Sequence, residues 1–260
     1  MITGSECSRR TFIKAAGAGA VSFALPAAVT AGFGEGRRPN IIFVVCDDLG
    51  YGDLGCYGSP VIRTPKIDGL AREGVRFTSF YAAAPNCSPS RAGLLTGRSP
   101  SRLGLYDVIQ AKKSRMSLPE DEITIAEILR DAGYETCHYG KWHLSSVKGA
   151  GERGIELAAT RHGFDHTHVD QDLAYNMIGR FNKWISQRPD PRKPFFAYIA
   201  LHETHEPVDR RSPAIYREMY EGAENERRAR SVPYGNVTRT KPVWDKRNVY
   251  YGCVSQVDGA

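Results

Sequence analysis

The chain has 260 residues, of which 41% are hydrophobic and 25% charged, a balance that suits a globular protein and excludes general disorder. Its net charge of +6 is mild and comes with no basic stripe carrying interleaved aromatics, so it suits anionic small substrates and gives no hint of nucleic acid. The length allows one large α/β domain or part of a larger enzyme.

The first residues read as an export signal. "CSRRTFIKAAGAGAVSFALPAAVTA" has a basic start (Arg9, Arg10, Lys14), a modest apolar stretch and small residues towards Ala31. It is too rich in Gly and Ala for a stable membrane span. The consecutive arginines resemble the twin-arginine signal of bacteria, which implies the twin-arginine export machinery as a partner and a periplasmic or secreted destination. Cleavage near Ala31 would remove three cations and one anion and leave residues 32–260 with a charge of +4. Of the six cysteines, Cys7 leaves with the signal, and Cys46, Cys56, Cys87, Cys137 and Cys253 show no paired spacing. Neither a zinc site nor a disulfide scaffold is supported.

In the mature part, "NIIFVVC" (Asn40 to Cys46) is a continuous β-rich run, as expected of a strand buried on both faces. "TPKIDGLAREG" predicts a short helix capped by Thr64, with Pro65 first, Ile67, Leu70 and Ala71 inward and Gly74 as the stop. "VRFTSFYA" from Val75 predicts a second strand. The next helix opens near Cys87, with Ser88 as cap, Pro89 in the first helical position, and Ala92, Leu94 and Leu95 following. "TIAEILRDAG" predicts a helix with a Thr124/Glu127 capping box, an apolar face of Ile125, Ile128, Leu129 and Ala132, and Gly133 as terminator. A strand "YETCHY", a helix from about Leu173 to Ser186 and a strand "FFAYIAL" (Phe195 to Leu201) follow. "QRPDPRKP" is a turn-rich connection, and Ser212 to Lys246 is expected to run over the surface. Strands alternating with helices predict an α/β fold, a mostly parallel sheet sandwiched between helices. Cys46 and Cys137, within strand-like runs, are expected to pack in the core.

Three polar clusters follow three of these strands. Asp47 and Asp48 follow the first, Lys141 and His143 follow "YETCHY", and His202 and His205 follow "FFAYIAL". The carboxyl ends of the strands of an open α/β sheet face one crevice, where ligands bind. Adjacent aspartates suit a hard divalent cation, calcium or magnesium, or else cap an Asp-rich turn. Cys87 sits at the positive end of a helix dipole, where anionic groups are favoured. It reads either as a buried structural thiol or as part of a site with these clusters.

"CSPSRAGLLTGR" resembles the signature of the type I sulfatases, formylglycine-dependent enzymes of the alkaline phosphatase superfamily, whose core is Cys-x-Pro-x-Arg with a Leu-Thr-Gly-Arg tail. "NIIFVVCDDLGYGDLGCYG", "GYETCHYGKWHL", "HGFDH" and "HETHEP" also resemble blocks of that arylsulfatase-like family, in its order. The resemblance implies hydrolysis of aryl or carbohydrate sulfate esters. It implies that a maturation enzyme converts Cys87 to Cα-formylglycine, whose hydrated aldehyde is the nucleophile, with Pro89 and Arg91 as the modification signal. It further implies that Asp47, Asp48 and an oxygen of modified Cys87 bind the cation, usually calcium, and that Arg91 helps hold the modified side chain. Lys141 and His205 would bind sulfate oxygens and stabilise the leaving group. His143 would be the base for the second hydroxyl, whose deprotonation expels sulfate.

The family also carries an Asp-Asn-Gly segment that completes the metal site and a later lysine on the substrate, and neither is found here. "YYGCVSQVDGA" resembles the helix before that segment, so the chain is expected to be a C-terminally truncated piece, residues 32–260 being the N-terminal part of the catalytic domain and inactive alone. The alternative functions are a phosphonate monoester or phosphodiester hydrolase of the same superfamily, or an inert fragment that binds anions without turnover.

Overall fold

The computed structural model describes residues 38–110, 116–145, 158–169, 173–208, 211–222 and 247–260. The chain divides into Met1–Arg38 and Pro39–Ala260, and the fold below is that of the second unit. The export signal, the arginine pair and most of the stretch between Ser212 and Lys246 lie outside the described residues.

Four strands form one sheet among the described residues: β1 (Ile41–Cys46), β2 (Glu135–Gly140), β3 (His166–His168) and β4 (Phe195–Leu201). Their order is β1-β4-β2-β3 and every pairing is parallel. Ile41 aligns with Phe196 and Cys46 with Leu201, while Gly140 aligns with Ala200. The residues just past β1, β2 and β4 therefore emerge at one end of the sheet.

Strand β4 shows why the sequence folds this way. All seven of its residues are buried, and they divide by alternation. Phe196, Tyr198 and Ala200 join a core on one face with Ala92, Leu95, Ala126, Trp142 and Phe164. Phe195, Ala197, Ile199 and Leu201 join a core on the other with Ala174, Met177 and Phe181. Helices α2 (Cys87–Thr96) and α3 (Ile125–Asp131) supply the first cover and α4 (Ala174–Ser186) the second. The other helices are α1 (Pro65–Glu73), α5 (Ala214–Glu218) and α6 (Arg247–Gly259).

Several expectations are corrected. Among the described residues β1 lies at the edge of the sheet, and Ile42 and Val44 remain 53% and 46% exposed instead of being covered on both faces. Residues 75–82 form no strand, and Val75, Phe77, Phe80 and Tyr81 are exposed. β propensity there finds no neighbouring strand to pair with among the described residues. On α1, Ile67 and Ala71 are half-buried but Leu70 points outward. On α3 the buried residue is Ala126, with Leu129 packed beside it, whereas Ile125, Ile128 and Ala132 are exposed. The Thr124/Glu127 capping box is formed as expected, and Gly133 follows the helix at φ +89°. Cys137 is buried as expected and Cys46 is half-buried.

Candidate active site

The site lies where β1, β2 and β4 end. Asp47 is the first residue past β1; its N–H donates to Leu201 O (3.1 Å), and its carbonyl accepts from Thr204 Oγ1 (2.5 Å). The Asp47 carboxylate is buried among three groups from other elements. Arg91 Nη2 stands 3.2 Å from Oδ1, as an ion pair without hydrogen-bond geometry. Lys141 Nζ donates to Oδ2, and His202 Nδ1 is 3.1 Å from the same oxygen. Burial alone would raise the Asp47 pKa, but the His202 hydrogen bond and the Arg91 and Lys141 cations hold it well below the usual carboxylate range. Asp48 is more open, with its Oδ2 3.7 Å from His205 Nε2.

Arg91 comes from the middle of α2 and is only 2% exposed. Its Nη1 donates to Lys141 O (2.9 Å) and to the Tyr198 hydroxyl (3.3 Å), while Nε has no hydrogen-bond partner. Cys87 is the first residue of α2, half-buried, and within the electrostatic reach of that guanidinium. The helix start differs in detail from the sequence expectation. Asn86 is the N-cap, without a side-chain cap, and Pro89 is third in the helix, still within the first turn where a missing N–H costs nothing. Ser88 does not cap; its hydroxyl accepts instead from the N–H of Ile109 at 3.0 Å.

Gly140 lets β2 turn into the site. It sits at φ +91°, and a Cβ there would lie 2.3 Å from Ala200 O, so only glycine fits. Lys141, the buried Trp142 and His143 follow. Among the described residues, Asp48 (φ 60°) and His143 (φ 58°) are the non-glycine positions with left-handed backbone. Both are residues of the crevice, where such strain is held by surrounding contacts. Burial first, then the Lys141 cation, pushes the His143 pKa down to about 4. Its imidazole is therefore held in the neutral form near pH 7, with a lone pair on one ring nitrogen.

The crevice thus gathers Asp47, Asp48, Arg91, Lys141 and His205 through direct contacts, with Cys87 and His143 in the field of the same charges. Sequence reasoning placed His202 beside the site but gave it no role; its position directly past the central strand was the available signal. Thr204, Tyr198 and Arg211 were missed. Arg211 Nη1 donates to the carbonyls of both His202 (2.8 Å) and His205 (2.6 Å), which fixes the loop that carries them. Glu203 braces that loop from the other side by accepting the N–H of Ala174 at the start of α4.

Two donor sets could hold a metal. Asp47, His202 and His205 bring one ligand atom each to within 4.8 Å of one another. Asp47 and Asp48 offer carboxylate oxygens, the donors that hard cations prefer. The Asp47 carboxylate already faces two cations and a histidine, whereas Asp48 is 58% exposed and keeps open coordination positions, so the aspartate pair fits a hard cation shared mainly through Asp48. A groove of about 790 Å³ between β3 and α4, lined by Glu135, His166, Arg180 and Trp184, contains none of these residues.

Residues 39–260 match the family described as Sulfatase. The chain is 51% identical over 130 residues to arylsulfatase A of Homo sapiens, covering 50% of this chain and 25% of that protein. It is 32% identical over 231 residues to N-acetylgalactosamine-6-sulfatase of Canis lupus familiaris, covering 71% of this chain and 43% of the relative. The solved structure of Ps i-CgsB superimposes with a TM-score of 0.62 at 25% identity, over 86% of this chain and 53% of that one. The chain therefore spans less than half the length of these curated relatives.

Proposed function

The chain belongs to the sulfatase family of the alkaline phosphatase superfamily, and on that basis we propose that its protein hydrolyses sulfate esters of a phenol or a carbohydrate to the alcohol and inorganic sulfate. The observation that carries this reading is the convergence on one crevice of Arg91, Lys141 and the two histidines of the β4 loop about Asp47, with Cys87 opening α2 beside them.

Each residue then has a task that its surroundings support. Lys141 and His205 meet the non-bridging sulfate oxygens and stabilise the charge that gathers on the leaving oxygen. Arg91, anchored through Lys141 O and Tyr198, holds the side chain at Cys87. Converted to Cα-formylglycine by a maturation enzyme, Cys87 supplies a hydrated aldehyde, one hydroxyl of which attacks sulfur while the other later expels sulfate. His143, neutral near pH 7, takes the proton of that second hydroxyl. Asp47 and Asp48 would hold calcium, or magnesium, which supplies positive charge beside the nucleophilic oxygen.

The N-terminal arginine pair supports twin-arginine export to the periplasm. Among the described residues no helix is long and apolar enough to cross a membrane.

The test is turnover by the matured protein, expressed in the full reading frame that encodes this chain, of an aryl sulfate and of the matching aryl phosphodiester. Release of the phenol from the sulfate ester, dependent on calcium and on Cys87, is the expected result. Preference for the phosphodiester would move the protein to the related phosphonate and phosphodiester hydrolases. No turnover of either ester would leave an anion-binding protein.

A further inference from the structure

His143 Nε2 lies 2.9 Å from the carbonyl oxygen of Ile109. A carbonyl can only accept, so Nε2 must carry the proton and Nδ1 must hold the lone pair. Nδ1 is buried and has no hydrogen-bond partner. The peptide segment that fixes this arrangement is tied at its other side to the start of α2. The Ile109 N–H donates to Ser88 Oγ at 3.0 Å, and two residues earlier Asp107 Oδ1 accepts from Asn86 Nδ2 at 3.0 Å. Asn86 and Ser88 flank Cys87. Ile109 and Ser88 are both fully buried, so the bond between them is shielded from solvent.

We propose that Ser88 is a positioning residue, which through the backbone of Ile109 holds His143 as the Nε2–H tautomer and leaves Nδ1 as the atom that accepts the proton in the reaction proposed above. The strap works because one residue uses both its backbone groups. The N–H of Ile109 is held by the residue next to Cys87, and its C=O holds the base. Any shift of the α2 start is thereby passed to His143, and the two groups that must act together keep a fixed separation. His143 itself sits in left-handed backbone (φ 58°), a conformation that the surrounding contacts must hold. The inference rests on the sulfatase reading for the role of Nδ1, but the tautomer itself does not depend on it.

The experiment is a two-bond ¹H–¹⁵N correlation spectrum of histidine-labelled protein in the Cys87 thiol form near pH 7, with the His143 signals assigned from a His143→Gln sample. The wild type should show a single Nε2–H tautomer for His143. Ser88→Ala, which preserves the Cys-x-Pro-x-Arg spacing, should show a mixture with the Nδ1–H form. Its turnover per converted Cys87, with conversion counted by peptide mass, should fall by about tenfold in kcat with KM unchanged, as expected for losing one positioning hydrogen bond. A proton on Nδ1 in the wild type overturns the proposal. So does a Ser88→Ala spectrum identical to wild type, whatever its turnover. A wild type with the Nε2–H tautomer but no turnover of any sulfate ester sinks the sulfatase reading and leaves the strap standing.

Discussion

His202 Nδ1 lies 3.1 Å from Asp47 Oδ2, although 155 positions separate the two residues. Parallel pairing explains the meeting: Cys46 aligns with Leu201, so the next residue on each strand opens into the same space. His202 joins Lys141 on one carboxylate oxygen and so sets how that oxygen faces the crevice. Its own pKa is lowered, by burial first, although the bond to Asp47 works the other way. Replacing His202 by Ala should lower aryl sulfate turnover by roughly 10–100-fold, the usual range for a group that orients a first-contact ligand. His202→Asn, which can still donate to Oδ2, should recover part of it. Equal loss in both variants would show that the bond to Asp47 is not what matters.

The Asp47–Lys141–Arg91 cluster predicts an asymmetry in stability. Lys141→Met leaves Asp47 with Arg91 and His202, so the cost should stay below the ~3–5 kcal/mol typical of a buried pair that loses its sole partner. Asp47→Asn leaves two buried cations facing each other without an anion between them, and should cost more. Urea denaturation of the two variants decides the order, and a more stable Asp47→Asn would contradict this account of the cluster.

Cys87 is the residue on which the proposed chemistry turns. Co-expressed with a maturation enzyme, the peptide spanning it should lose the mass difference between thiol and aldehyde and react with hydrazides. Cys87→Ala should abolish both while leaving the fold intact, because the side chain is only half-buried at the first position of α2. An unmodified thiol in protein matured this way removes Cys87 as nucleophile.

His138, on β2 beneath the site, predicts an acid limb in stability. It is fully buried against Tyr198, Trp142 and Phe164, and burial pushes its pKa from 6.5 down to about 3, with Arg91 adding to the fall and the Lys141 carbonyl opposing it. Once unfolded it protonates near its ordinary value. Between about pH 6.5 and about pH 3 the unfolded chain therefore binds one more proton, and stability should fall as pH drops through that window. Above it the term vanishes. His138→Leu should flatten the limb by one proton's slope in urea midpoints measured across pH 4–7. An unchanged slope would mean that the imidazole is protonated in the fold.

Export gives the fifth prediction. Replacing Arg9 and Arg10 by lysine keeps the charge but removes the paired guanidinium groups that the twin-arginine route reads. Precursor should then accumulate in the cytoplasm. Normal arrival in the periplasm would point to a general secretory signal.

The chain's own order of residues determined much of this molecule. The runs 41–46 and 195–201 are apolar and β-rich enough to read as strands, 135–140 reads as one despite its Glu, Thr and His, and the Thr124/Glu127 box starts α3 with local hydrogen bonds alone. The polar residues directly past those strands were legible as a site because parallel strands share one carboxyl end. What local pattern could not carry is which neighbour each element finds. "VRFTSFYA" has strand propensity but forms no strand, and β1 reads as buried on both faces yet lies at the edge of the sheet among the described residues. The apolar face of α3 was misread because its contacts come from across the sheet through Ala126 and Leu129, with Ile125 and Ile128 turned outward. Contacts between residues far apart in sequence were decided only in three dimensions. His202 on Asp47, Arg211 on the two histidine carbonyls and Ser88 on Ile109 all depend on the backbone's path, because a hydrogen bond needs a partner within about 3 Å and sequence spacing sets no such distance across elements.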